Sequence, residues 1–281
     1  MAKLEIKAPA KINIGLYITR KREDGFHDIE TIFYPINLSD KIIIEDSNRF
    51  YFTSSKKTLQ NHTNLIVRAK KLIEEYSGKR MEYKIHLEKK IPLGAGLGGG
   101  SSDAAAVLKG LNTISELNLS GQDLLNLALK LGSDIPFFLD PKPAFAGGRG
   151  EVIKTLSFHI EQPIILVNSG IQVSSAWAYS KIKPKEHEFD LRKIKSLDLN
   201  SLKQLSTRLE NDFEKVVFQK YPRVKEIKSM HYDLGAVFSL MSGSGSTVFG
   251  IYPDESAALN AAKILKEKKY FVFIHTESNA S

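Results

Sequence analysis

The segment Ile91–Leu111, IPLGAGLGGGSSDAAAVLKGL, puts glycine at positions 94, 96, 98, 99 and 100 and serine at 101 and 102. Without side chains, backbone N–H groups stay open to an anion that must come close. A helix starting where the run ends adds its own unpaired N–H groups and the positive end of its dipole. The serine hydroxyls at its mouth supply further hydrogen bonds. The chemistry this composition suits is the binding of a multiply charged phosphate, and the bland alternative is a flexible turn that glycine permits.

Three phosphate-binding designs share parts of the pattern. Gly94, Gly96 and Gly99 satisfy GxGxxG, as in dinucleotide folds and protein kinases. The dinucleotide design requires a parallel βαβ unit with an acidic residue about 20 positions on. Glu116 is available, but the preceding strand belongs to a mixed, β-rich region. The protein-kinase design requires HRD and DFG segments, which are absent, and a Walker loop requires a lysine after the last glycine, where Ser101 stands. As a phosphate cradle the loop is therefore a distinct design, in which the point charge of a Walker lysine comes from elsewhere in the chain or not at all.

The elements that must position this loop follow from periodicity. Residues 3–7, 12–18 and 40–46 alternate or run β-branched like strands, and 81–92 return to a period of two. The spacing of Leu65, Val67, Ala69, Leu72, Ile73 and Tyr76 predicts a helix from a Thr63–Asn64 start. Ser101 or Ser102 is the expected cap of a helix through 103–115, and Ser120 with Asp123 has capping-box spacing for the next, with Gly132 as its stop. The Pro/Gly-rich passage ending near Gly150 marks the expected domain junction. Beyond it, 162–170 read as a buried strand, 174–182 as a short helix and 199–232 as helices broken near Pro222. Two strands around a small-residue turn at 235–252, a helix over 254–268 and a final strand at 270–275 complete an α+β module with an antiparallel sheet.

Composition bounds what the site can be. The 281 residues, 42% hydrophobic, suffice for two ordinary domains. The absence of cysteine excludes disulfides, thiolate metal sites and a cysteine nucleophile. Charges interrupt every apolar run of the N-terminal segment, and no window approaches the 18 or so apolar residues of a membrane span, so a cytoplasmic location is expected. The net charge of +8 suits an anionic substrate, a nucleic acid or a lysine-rich surface. The lysine clusters lack the interleaved aromatics of a single-strand binder, so neither a nucleic-acid nor a membrane partner is expected.

Three segments in order, PAKINIGL at 9–16, PLGAGLGGGSSDAA at 92–105 and MSGSGSTVFGIY at 241–252, resemble the motifs of the GHMP kinase superfamily, which includes galactokinase, homoserine kinase, mevalonate kinase and phosphomevalonate kinase. Within it, REDGFHDIETIFYPI at 22–36, TNLI at 63–66 and GSDIPFF at 132–138 are similar to segments of the 4-diphosphocytidyl-2-C-methyl-D-erythritol kinases. The resemblance implies a two-domain α+β fold: an N-terminal ribosomal-protein-S5-domain-2-like α/β domain over 1–152 and a C-terminal ferredoxin-like α+β domain over 153–281, with the active site in the cleft they form. It also implies ATP-dependent phosphorylation of the 2-hydroxyl of a substrate carrying a cytidine diphosphate group, in isoprenoid precursor synthesis.

Residue roles carry over position by position. Asp134 matches the family's catalytic base, where a lone aspartate otherwise caps a turn. Lys11 matches the lysine beside that base, and Asn13, two residues along the strand, faces the same side and can bond substrate. For the cytidine end, the resemblance assigns stacking to Phe26 and Tyr179, base-edge bonding to His27, wall contact to Phe33 and a hydroxyl contact to Ser175. Phe26 stands where the family usually has tyrosine, which keeps stacking and removes the hydroxyl. For ATP it implies Asn64, Leu65 and Lys89 near the base or ribose, and Pro92, Leu93, Gly94, Ala95, Gly96, Leu97, Gly98, Gly99, Gly100, Ser101 and Ser102 about the phosphates. Lys89 also fits a solvated strand end. Magnesium is implied with ATP, without identifiable ligands. The Ser242–Ser246 loop either packs against the phosphate region or serves as a tight strand connection. Oligomeric state, monomer or weak dimer, is not set by the sequence.

Overall fold

The computed structural model describes residues 3–277. Residues 3–10, 38–91 and 98–141 pack into one compact unit, and 11–37, 92–97 and 142–277 into a second. Two long strands, β1 (Lys3–Lys21) and β2 (His27–Asp46), pair with each other and contribute to both.

In the first unit the second half of β2 pairs antiparallel with β4 (Tyr83–Glu88), Ile44 opposite Ile85, and β3 (Tyr51–Ser54) pairs parallel with the far edge of β4. The period of two puts Leu38, Asp40, Ile42 and Ile44 of β2 and Ile85 and Leu87 of β4 into the core. The helices α1 (Leu65–Ser77), α2 (Gly99–Ile114) and α3 (Gly121–Leu131) pack on one another, and α2 lies against these strands. The helix α2 is buried continuously from Ser102 to Leu108, and its alanines allow that close approach. At Gly110 a Cβ would fall 2.4 Å from Ile6 Cδ1 and 2.7 Å from Ile44 Cδ1, so this turn rests directly on the strands. Asn64 caps α1, its side chain accepting from the Ile66 N–H, and Ser120 and Asp123 form both halves of a capping box on α3.

In the second unit the first half of β2 pairs with β5 (Ala144–Gly147), Thr31 opposite Ala146, and β5 pairs with β6 (Val152–Thr155). A second sheet, wholly antiparallel, runs β10 (Phe271–His275), β7 (Ile164–Asn168), β9 (Val248–Ile251), β8 (Phe238–Met241). The helices are α4 (Ser175–Lys181), α5 (Leu199–Leu205), α6 (Phe213–Lys220), α7 (Pro222–Asp233) and α8 (Glu255–Glu267). Phe213, Val217, Val224 and Ile227 from α6 and α7 and Ala258, Ala261 and Leu265 from α8 share a core with Ile165, Val167 and Val248. Each fully buried aliphatic side chain contributes about 1.5–3 kcal/mol of transfer free energy.

Three elements differ from the sequence reading. β2 starts at His27, well before the DKIIIED run, because HDIETIFYPI is buried on both faces at several positions and loses its alternation. α2 starts at Gly99 with Gly98 as N-cap at φ +70°, so Ser101 and Ser102 lie inside the first turns and neither caps the helix. The Pro/Gly-rich passage carries a 3-10 turn at Pro136–Leu139 and the β5–β6 hairpin.

Candidate active site

The glycine loop has a regular backbone. Gly94, Gly96 and Gly98 have φ of +58°, +75° and +70°, so every second residue is left-handed, the alternation that turns successive N–H groups into a concave anion nest. The carbonyl oxygens are meanwhile held by protein donors: Val173 N–H donates to Gly94 O (3.3 Å), Thr247 N–H to Ala95 O (3.2 Å) and Lys11 N–H to Leu97 O (3.0 Å). Ser242 Oγ donates to Gly96 O at 2.9 Å. The Ser242–Ser246 loop therefore both connects β8 to β9 and packs on residues 95–96 of the glycine loop. A Cβ on Gly96 would lie 2.0 Å from the Ser242 carbonyl oxygen, so only glycine fits there.

Lys11 and Asn13 project from one face of β1. Lys11 Nζ donates to Asn13 Oδ1 (2.5 Å) and to Gly96 O (3.3 Å) and lies 5.0 Å from the centre of the Phe33 ring. Asn13 Nδ2 donates to Thr31 Oγ1 at 3.0 Å, and the Thr31 hydroxyl donates to Gly15 O at 2.5 Å. Lys11, Asn13 and Thr31 are all buried, so these hydrogen bonds form a network shielded from water.

The aromatic residues of the second unit make a different arrangement from a simple pair. His27 is stacked on Tyr179, ring centres 5.1 Å apart at 24°, and Tyr179 meets Phe213 edge-on at 4.9 Å. Burial, with a smaller contribution from Lys21, lowers the His27 pKa, so the imidazole is neutral at pH 7 and carries one donor and one acceptor. Phe26 is 53% exposed, with the Arg149 guanidinium 4.9 Å from its ring centre. Ser175, the first residue of α4, shares a 2.8 Å hydrogen bond with Ser244.

In the first unit, Leu65 opens α1 with Cδ1 3.7 Å from where a Gly100 Cβ would be, so the starts of α1 and α2 lie together. Asn64 is engaged locally: it caps α1 and its Nδ2 donates to Leu59 O at 3.1 Å. Ser102 Oγ is buried in the opening turns of α2 with no hydrogen-bond partner. Lys89 is not at a solvated strand end. Its ammonium is buried between Asp40 (2.5 Å) and Asp103 (2.6 Å). Asp134 lies in the turn that links α3 to the 3-10 turn at Pro136–Leu139.

Thr31, Arg149, Asp40 and Asp103 belong to these arrangements and were not singled out by sequence. Of these only Asp40, at the start of the strand-like run 40–46, carried a signal. Among the described residues one group of three metal-capable side chains comes together, His187, Glu210 and Asp212. Lys185 is ion-paired to both carboxylates, 3.3 Å from Asp212, and Tyr17 stacks on His187 at 3.8 Å, so both carboxylates already share a cation and the imidazole is packed.

The family model for the GHMP kinases N terminal domain matches residues 64–140, and that for the GHMP kinases C terminal matches 191–270. The chain belongs to the GHMP kinases. This GHMP kinase is 41% identical, over 95% of both chains, to the 4-diphosphocytidyl-2-C-methyl-D-erythritol kinase of Pelodictyon phaeoclathratiforme. It superposes with a TM-score of 0.80 and 33% identity on the crystal structure of a 4-(cytidine 5'-diphospho)-2C-methyl-D-erythritol kinase, covering 97% of this chain and 98% of that one. Homoserine kinase from Cytophaga hutchinsonii shares the fold, with a TM-score of 0.73 at 16% identity over 98% and 95% of the chains. The two-domain α+β architecture expected from the motifs is the one found. No helix among the described residues is long and apolar enough to cross a membrane.

Proposed function

We propose that this chain transfers the γ-phosphoryl group of ATP to the 2-hydroxyl of 4-diphosphocytidyl-2-C-methyl-D-erythritol, giving the 2-phosphate, an isoprenoid precursor. The observation that carries the substrate is the His27–Tyr179 stack, set in a chain 41% identical to enzymes bearing that name. A flat pair with a neutral imidazole suits a pyrimidine, for which stacking contributes about 1–3 kcal/mol per base. Phe26, with Arg149 over its ring, offers a second aromatic face in the same unit. Homoserine and mevalonate have no base for these rings to bind.

The residues present fit ATP. The alternating left-handed glycines and the α2 N-terminus favour a polyphosphate, and the buried, unpartnered Ser102 Oγ has a hydrogen bond to give or accept at that helix start. Magnesium belongs to the proposal as the ion that neutralises the phosphates, with Ser102 the candidate hydroxyl ligand. In this reading Asp134 receives the proton of the attacking hydroxyl. Lys11, oriented by Asn13 and Gly96 O, stabilises negative charge on the reacting oxygens. We also place the seam of the two family domains near residue 152, with the two family matches on either side, and the enzyme in the cytoplasm as a monomer or weak dimer without a nucleic-acid or membrane partner.

The test is ATP consumption across a panel of alcohols. Turnover is expected with the cytidyl substrate and to be about 10⁴-fold lower in kcat/KM with mevalonate and homoserine, the order of rejection when a site's polar groups are left unpaired. Comparable turnover of either small alcohol would refute the substrate assignment.

A further inference from the structure

The buried Asp40–Lys89–Asp103 cluster is a device that the sequence does not announce. Asp40 sits at a core position of β2, between Leu38 and Ile42 in the period-two series, and is fully buried. Lys89 follows Ile85 and Leu87 on the buried side of β4, and its side chain is 3% exposed. Asp103 lies in the second turn of α2 and is 3% exposed. One Asp40 oxygen accepts from Lys90 N–H at 2.6 Å and Ile91 N–H at 2.8 Å, while the other meets Lys89 Nζ. Lys89 Nζ then reaches Asp103, 14 residues along the chain.

Both ends of the glycine run are thus fastened to one ion cluster: residues 90–91 where the chain enters it, and Asp103 where it leaves as α2. The position of a Gly99 Cβ is 3.0 Å from Lys89 Nζ and from Ile91 Cγ2, so the cluster also backs the first residue of the helix. Burial pushes the Asp103 carboxyl up to about 7 even with Lys89 beside it, because two carboxylates share one ammonium. A segment with so many glycines loses more conformational entropy on ordering than any other composition, and a ligand that must order it binds correspondingly less tightly.

We propose that Lys89 is a positioning residue for ATP phosphate binding: through Asp40 and Asp103 it holds the two ends of the glycine loop at fixed spacing before nucleotide arrives. The proposal rests on the reading of that loop as the ATP phosphate site. It replaces the expectation that Lys89 touches the base or ribose, since the ammonium is spent on two buried carboxylates.

The test compares the triple variant Lys89→Met/Asp40→Asn/Asp103→Asn, which strands no buried charge, and Asp40→Asn alone, which leaves Lys89 paired with Asp103 and keeps an acceptor for the Lys90 and Ile91 amides. Displacement of a fluorescent ATP analogue by ATP and by adenosine is measured in each, alongside thermal melts to establish folding. In both variants the ATP dissociation constant is expected to rise about tenfold and that of adenosine to stay within twofold. KM for ATP should rise in parallel, with kcat at saturating ATP falling far less, the pattern of lost uniform binding. Equal weakening of adenosine and ATP overturns the proposal in favour of direct base or ribose contact. Unchanged ATP affinity in two folded variants overturns it in favour of a role in stability alone. Nucleotide binding is read without any alcohol present, so failure of the substrate assignment leaves this outcome intact, whereas wild-type protein that binds no ATP overturns both.

Discussion

Replacing Gly96 by alanine separates the close approach of the glycine loop from its backbone conformation. At φ +75° a Cβ costs about 1–2 kcal/mol in the left-handed region. The same Cβ would stand 2.0 Å from the Ser242 carbonyl oxygen and 2.9 Å from its carbon, atoms of another backbone segment that cannot rotate away. Ordinary contact begins near 3.4 Å, so one of the two segments must move by more than 1 Å. Overpacking of this kind costs about 1–3 kcal/mol more, giving about 2–5 kcal/mol in all against a typical stability of 5–15. Gly94→Ala is the internal control. It carries the same left-handed penalty at φ +58°, but the nearest atom to its Cβ would be Gln172 Cβ at 3.3 Å, with Gln172 Cα at an ordinary 3.7 Å. Urea unfolding should therefore place Gly96→Ala about 1–3 kcal/mol below Gly94→Ala. Any shift of Gly96 also pulls its carbonyl from Lys11 Nζ and Ser242 Oγ, so turnover should fall further than in the control. If the two variants unfold at the same urea concentration and turn over alike, the close approach of residues 96 and 242 is not the constraint argued here.

Asp134→Asn is expected to lower kcat by about 10²–10⁴ while leaving ATP binding intact, as for loss of a general base, and single-turnover kinetics near the wild-type rate would remove that role. Phe26→Ala should raise KM for the cytidyl alcohol by about tenfold with KM for ATP unchanged, the loss of roughly one stacking face; an unchanged alcohol KM would leave Phe26 outside the site. His231, fully buried with Nδ1 3.0 Å from the Tyr252 hydroxyl, has its pKa lowered by burial to about 4 from 6.5. A depressed histidine means the unfolded chain binds the extra proton first, so stability from this group is complete above pH 6.5 and lost as pH falls towards 4. Asp103, raised to about 7, works with the opposite sign over the same interval, so the useful quantity is a difference. Between pH 7 and 4.5 wild-type protein should lose about 2 kcal/mol more than His231→Asn by urea unfolding, and equal pH slopes would contradict the assignment.

How far the molecule can be read from its sequence divides by range. The helices α1, α3 and α8 carry caps and apolar spacing within a dozen residues, and the structure places them within two residues of the reading. The glycine loop was legible for the same reason, since its conformation depends on glycines that are neighbours in the chain. β2 lost its first half because a strand buried on both faces has no alternation to show. The start of α2 was misplaced because serine is a good cap in general, whereas here Gly98, at φ +70°, makes the turn that no serine would enter without strain.

The site residues divide in the same way, and the division carries an argument about function. Lys11 and Asn13 could be placed on one face because two residues of strand bring them there, and the hydrogen bond between them follows. Thr31, Ser242, Asp40 and Asp103 are separated from their partners by between 14 and 229 residues, so their roles exist only once the chain has folded. Lys89 is the sharpest case. Its type and place beside a phosphate loop suggest a nucleotide contact, and what decides otherwise is Asp40, 49 positions earlier, on the buried face of a strand. A carboxylate in a series of Leu38, Ile42 and Ile44 is costly unless paired, so that series already required a cation from somewhere in the fold. The lysine that answers it pairs with Asp40 and Asp103, and on the positioning role proposed above it acts on ATP only through them. Lys11 is the other buried lysine beside the glycine loop, with its ammonium on Asn13 Oδ1 and Gly96 O, which is why the proposed function gives the reacting oxygens to it and leaves Lys89 to the carboxylates.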